Sequence, residues 1–251
     1  MTAVPPGPHV VLVHGAWAGG WVWDTVVGPL RAAGLRPHVV DLPGVGGDDH
    51  DDESVTIDTL VDHVVARVRA LDGPAVLVGH SGAGVIVTRV AELVPELVLG
   101  VTYVAGFMLP SGTDFGALCA GLGWPSDVGI ARWLEFSDDG RLSRVPPEAG
   151  AAVFFHDAPA DQAIIAGRAL RPQQESARLI AAHWTAERFG ARPRLYIEAT
   201  ADRTVPIEAQ RYMQQLTPGA RVVTLDTGHA PQLTAPDRLC AALVGFARDV
   251  G

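Results

Sequence analysis

Ser81 lies in Val76-Leu77-Val78-Gly79-His80-Ser81-Gly82-Ala83-Gly84, where an apolar run enters a turn of small residues that opens a helical pattern. A serine on a strained strand-to-helix turn lifts its hydroxyl clear of the sheet, and small neighbours let helix and strand approach. The pattern is G-x-S-x-G with Ala83 in the fifth place, the smallest departure available. A serine hydroxyl is a poor nucleophile without a base, and the order serine, acid, histidine places its partners downstream. Asp202, in Thr200-Ala201-Asp202-Arg203-Thr204-Val205-Pro206, and His229, in Asp226-Thr227-Gly228-His229, each follow a strand pattern in that order. Asp226 is a rival acid, and Asp202 has a plainer alternative as the cap of the helix after Pro206. Acyl transfer also needs preorganised donors for an oxyanion. The turn His14-Gly15-Ala16-Trp17 follows the first strand pattern, which assigns those donors to the backbone N–H groups of Ala16 and Gly82. The chemistry implied is attack by Ser81, proton transfer through His229 and an imidazole fixed by Asp202.

These residues need a frame that brings distant loops together. Short β-branched runs alternate with stretches of helical period, the pattern of a parallel sheet covered by helices on both faces. Strands are expected at His9 to Val13, Pro37 to Asp41, Ala75 to Val78, Val98 to Val104, Arg194 to Thr200 and Arg221 to Leu225. Helices are expected at Trp21 to Ala33, Thr56 to Leu71, Val85 to Leu93, Ile207 to Leu216 and Pro236 to Asp249. In an open α/β sheet, ligands gather at the carboxyl ends of the strands, and Ser81, Asp202 and His229 all fall there. Alternation breaks down between Gly106 and Arg192, so residues 1–106 and 192–251 read as the core and 107–191 as an insertion.

Composition removes several function classes. The 251 residues are 48% hydrophobic and 19% charged, enough for a sizeable core, and a net charge of −9 argues against nucleic-acid or anionic-lipid partners. All 19 basic residues are arginine, which excludes chemistry through a lysine amine. Cys119 and Cys240 are far apart and pair with no histidine at zinc spacing, so no metal or cofactor is expected. The acidic run Asp48 to Glu53 reads as a solvated loop. The start of the chain carries no basic, apolar leader pattern, no stretch reads as membrane-spanning, and a cytoplasmic location is expected.

Together, Val13-His14-Gly15-Ala16-Trp17 with Gly19-Gly20-Trp21-Val22-Trp23, the turn at Ser81, and the loops at Asp202 and His229 resemble the α/β-hydrolase superfamily. Within it they resemble the plant methylesterase and hydroxynitrile-lyase group and its bacterial esterase relatives. The resemblance implies an α/β-hydrolase fold with a helical cap over 107–191 and a serine hydrolase acting on a carboxylic ester. The lyases of that group carry a lysine after the catalytic histidine and a threonine in the first oxyanion loop, where this chain has Ala230 and Gly15. His80 is the residue that esterases of the group carry before the serine. A haloalkane dehalogenase would need aspartate in place of Ser81.

The insertion is rich in aromatics, which implies a small-molecule substrate with an apolar or aromatic group. Trp17, His80, Phe107, Trp124, Trp133 and Trp184 are candidate pocket residues. Lactonase, lyase or carbon–carbon bond hydrolase chemistry, and a non-catalytic ligand-binding role, remain alternatives because function resides in the site. The oligomeric state is open, a homodimer included.

Overall fold

The computed structural model describes residues 7–45, 55–125, 127–178 and 180–251; the acidic run Asp48 to Glu53 lies outside them. Along the chain come β1 (His9–Val13), α1 (Asp24–Ala32), β2 (Arg36–Val40), α2 (Ile57–Arg69), β3 (Ala75–His80), α3 (Ala83–Leu93) and β4 (Val98–Val104). The insertion holds α4 (Phe115–Gly121), β5 (Glu135–Phe136), β6 (Leu142–Arg144), α5 (Pro147–Val153), α6 (Ala160–Ala169) and β7 (Gln173–Gln174). The chain then returns with β8 (Arg194–Ala199), α7 (Ile207–Leu216), β9 (Ala220–Leu225), α8 (Pro231–Thr234) and α9 (Pro236–Val250).

Six strands form one sheet in the order β2-β1-β3-β4-β8-β9, and every pairing is parallel. β1 and β3 are buried along their whole length, as central strands covered on both faces must be. Val11, Leu77 and Tyr103 join α2 and α3 in one apolar layer, while Val10, Leu12 and Val76 join α1 and α9 in the other. Alternate residues of each strand serve opposite faces, which is how one strand supplies both layers. The α2 start is closed by a capping box in which Thr56 accepts from the Thr59 backbone. Among the described residues no helix is long and apolar enough to cross a membrane.

Two elements differ from expectation. The helix read from Trp21 to Ala33 is split into a 3-10 turn, Gly20–Trp23, followed by α1. Gly20 N–H donates to Asp41 Oδ1 at 2.6 Å, a tether to the loop after β2 that leaves no trace in apolar period. The insertion, expected to be helical, also contains an antiparallel sheet in the order β5-β6-β7. Its strands span only two or three residues, too few to display an alternation.

The sheet reaches the Ser81 turn through close backbone packing. A β-carbon on Gly79 would stand 2.8 Å from the Ala83 carbonyl oxygen and 2.8 Å from Val87 Cγ2. Gly79→Ala should therefore push α3 away from β3 and cost about 1–3 kcal/mol, the range for overpacking a filled interior. Thermal unfolding should register this as a fall of roughly 2–4 °C per kcal/mol.

Candidate active site

Ser81 follows β3 with φ +54°, a left-handed backbone that a residue with a β-carbon adopts only when its surroundings impose it. Its N–H donates to the Val104 carbonyl at 3.2 Å, and its own carbonyl accepts from Gly84 N–H and Phe107 N–H at 3.1 and 3.0 Å. A β-carbon on Gly84 would come within 2.6 Å of the Phe107 backbone, so this position after Ala83, like Gly79 before Ser81, has no room for a side chain. Among the described residues, Trp17 (φ +58°) and Ala105 (φ +42°) are the other non-glycine left-handed positions. All three lie just past the carboxyl ends of β1, β3 and β4.

His229 comes to the same end of the sheet from the loop after β9. Its Nδ1 lies 2.7 Å from Asp202 Oδ2, and both side chains are almost wholly buried. Asp202 Oδ1 accepts from Thr204 N–H at 2.7 Å and Val205 N–H at 2.9 Å, so one carboxylate both closes its own loop and faces the imidazole. Asp226, the rival acid, is exposed and accepts from Thr200 Oγ1 at 3.0 Å instead. Ser81 and His229 border one small cavity together with Gly15, Ala16 and His80. The N–H groups of Ala16 and Gly82 have no protein acceptor among the described residues. Gly15 lets the two loops touch, since a β-carbon there would lie 2.7 Å from Ser81 Cβ.

Two further histidines line this region as neutral groups. His14 Nε2 accepts from Leu42 N–H at 3.0 Å while its Nδ1 lies 2.9 Å from the Gly15 carbonyl, which fixes the proton on Nδ1. Burial lowers its pKa below the ordinary histidine value. His80 Nε2 lies 2.8 Å from the His229 carbonyl oxygen and must donate to it, leaving Nδ1 as a buried acceptor with no partner. Burial above all, then the nearby His229, drives the His80 pKa down to about 3. His9 and His38 meet at the opposite, amino end of the sheet, with Nδ1 and Nε2 2.7 Å apart. No group of three residues suited to a metal occurs among the described residues.

Above Ser81 lies a cavity of about 370 Å³ walled by Trp17, Phe107, Phe115, Ile130, Phe136 and Phe154, among others. Of the expected pocket residues, Trp17 and Phe107 line it, and His80 borders the smaller cavity beneath. Trp124, Trp133 and Trp184 do not face it. Trp124 packs down onto the core, and Trp133 turns outward with 56% of its surface exposed. Trp184 lies edge-on to Phe189 and donates its indole N–H to the Leu109 carbonyl at 3.1 Å. Sequence reasoning missed Arg178, which stands at the cavity wall over the Trp17 ring and is paired with Glu175. It also missed Thr204, two residues past Asp202, a spacing that could have drawn attention to it.

A model described as the alpha/beta hydrolase family matches residues 10–242. The chain belongs to this family. It is 32% identical to a pyrethroid hydrolase of Sphingobium wenxiniae, over 95% of this chain and 87% of that one. It is 29% identical to methylesterase 7 of Arabidopsis thaliana, over 94% and 95% of the two chains. A crystal structure of a pyrethroid hydrolase superposes with a TM-score of 0.84 at 29% identity, covering 97% of this chain and 98% of that one. The resemblance to plant methylesterases and bacterial esterases thus extends through the insertion, and the protein is an enzyme of the serine-hydrolase kind.

Because folded His80 stays neutral down to about pH 3 whereas an unfolded histidine takes up a proton near 6.5, the unfolded chain binds more protons between those values. The stability that this group contributes is fully present above pH 6.5 and falls by up to about 1.4 kcal/mol per pH unit below it. Urea midpoints measured from pH 7 to 4.5 should show the fall, and His80→Gln should flatten it. An unchanged slope in that variant would assign the acid sensitivity to other groups.

Proposed function

We propose that the protein hydrolyses carboxylic esters bearing an apolar or aromatic group, with Ser81 as nucleophile, His229 as general base and acid, and Asp202 as the orienting acid. The observation that carries this reading is the 2.7 Å contact of buried Asp202 with His229 Nδ1, which leaves Nε2 of that ring to serve Ser81. His229 takes the Ser81 proton as Oγ attacks the ester carbonyl, and Asp202 stabilises the imidazolium. The developing oxyanion is held by the unpartnered N–H groups of Ala16 and Gly82. His229 then protonates the departing alcohol, and water cleaves the acyl-enzyme by the same steps.

The cavity supports the substrate class. Its volume of about 370 Å³ falls in the range of sites that enclose a drug-sized molecule. Phe107 and Phe115 stack at 4.3 Å and 7° to form one aromatic wall, and Phe154 stacks on the His229 ring at 5.3 Å with 26° between the planes. The named activities of the relatives, pyrethroid hydrolysis and methylesterase action, are both ester cleavages of small molecules. Ala230 is buried against the Phe154 and Phe155 cluster, so the position where the resembled lyases keep a cation is apolar.

Purified enzyme should turn over p-nitrophenyl butyrate and accept a fluorophosphonate on Ser81, and Ser81→Ala should abolish both. A folded wild-type protein that does neither would overturn the reading. Asp202→Asn should reduce kcat by ~10⁴-fold, the loss seen when a triad forfeits the group that sets its tautomer. Asp226→Asn should stay near wild type, and the reverse ranking would move the acid role to Asp226.

A further inference from the structure

Resting on the oxyanion reading above, we infer that Gln173, in the insertion, is a positioning residue that sets the oxyanion donor Ala16 by holding the strained backbone of Trp17. Gln173 Oε1 accepts the Trp17 N–H at 2.7 Å, and the residue is 5% exposed. Its cross-strand partner in the antiparallel pair β6 and β7 is Ser143. Directly opposed residues of such a pair project to one side of the sheet, and here both reach the same tryptophan. Ser143 Oγ accepts the Trp17 indole N–H at 3.0 Å. The Arg171 N–H donates to the Trp17 carbonyl at 2.8 Å. Trp17 is therefore held at its amide, its carbonyl and its ring by one segment of the insertion, 126 to 156 residues away in the chain.

Ala16 lies between two fixed points. On one side Gly15 is pressed against Ser81, where a β-carbon would lie 2.7 Å from Ser81 Cβ. On the other, Trp17 has φ +58°, a conformation that its side chain opposes and that needs an external partner to persist. The Gln173 carbonyl is that partner on the backbone. It also occupies the Trp17 N–H, while Ala16 N–H has no protein acceptor among the described residues and Ala16 lines the same cavity as Ser81. Without Gln173 the turn is free to relax toward negative φ, which turns the Ala16–Trp17 peptide and, through the φ and ψ of Ala16, shifts the preceding Gly15–Ala16 peptide that carries the donor, although neither Ser81 nor His229 has changed.

A donor that serves only the tetrahedral state affects binding of an oxyanion far more than binding of a planar carbonyl. The test compares 1,1,1-trifluoro-4-phenylbutan-2-one, which adds a serine to form an oxyanion, with 4-phenylbutan-2-one, which has the same apolar body. Gln173→Met removes the acceptor at nearly constant volume, and Gln173→Asn keeps an amide but withdraws it by one methylene. In both, the trifluoro ketone Ki and kcat/KM for p-nitrophenyl butyrate should worsen by ~10- to 100-fold, the scale of a misplacement near 1 Å. The plain ketone Ki should stay within about twofold. Gln173→Glu, which keeps an acceptor oxygen, should retain most of the trifluoro ketone affinity. Equal weakening of both ketones, or wild-type values in Gln173→Asn, would overturn the inference. A wild-type enzyme that binds the two ketones alike would instead overturn the oxyanion assignment to Ala16 and Gly82.

Discussion

Ser81 keeps its left-handed backbone because the chain around it is packed where β-carbons are missing. Gly79 faces the first turn of α3, Gly84 faces the backbone of Phe107, and Gly15 faces Ser81 itself, each at a distance that no side chain fits. The residues from Gly79 to Gly84 are thus wedged between the β1 turn and the segment after β4. A strained φ is costly, about 1–3 kcal/mol, and persists only where the surroundings over-determine it. Two hydrogen bonds to the Ser81 carbonyl and one from its N–H complete that constraint. Asp202 contacts His229, and His229 shares a small cavity with this fixed serine.

The insertion contributes more than a roof. His156 Nε2 lies 2.9 Å from the Ala201 carbonyl, and Asp157 Oδ2 accepts the Gly228 N–H at 2.6 Å, so one turn between α5 and α6 grips the loops before Asp202 and before His229. A β-carbon on Gly228 would strike Asp157, which explains a glycine immediately before the histidine. Arg203 adds a bond to the Ala152 carbonyl at 3.0 Å. The acid and base loops are also tied to each other, Ala201 N–H donating to the Thr227 carbonyl at 2.9 Å. Around this frame the buried histidines stay neutral, so His229 is the one imidazole there set against a carboxylate partner.

What could be read from sequence follows from how local each signal is. The apolar run Ala75-Val76-Leu77-Val78 marks its own strand because burial on both faces leaves it uniformly apolar. β3 extends two residues past the expected Val78 because Gly79 and His80 carry no strand preference, yet their neighbours hold them in the ladder. The loops that carry Ser81, Asp202 and His229 were legible because catalytic order and strand ends are features of the linear chain. The cavity wall was not. Trp133 and Phe136 are both more than half exposed, yet of the two Phe136 borders the cavity, a difference set by the rotation of short segments whose contacts lie far away in sequence. Gln173 and Ser143 escaped for the same reason: a two-residue strand has no period, and its partner across the gap is chosen only when the insertion folds onto the core.

A cap and a core drawn as separate modules suggest that one can be exchanged while the other keeps working. Here the seam between them runs through the catalytic loops: Trp17 is held from above by Gln173 and Ser143, and Gly228 by Asp157. A chimaera that imported a relative's cap to widen the range of accepted esters would cut those ties unless acceptors were grafted at the same places. Its loss of rate would then be mistaken for poor substrate fit, when the donor side had simply come adrift. On the proposed oxyanion arrangement, repertoire and rate are linked through these few hydrogen bonds as well as through the cavity.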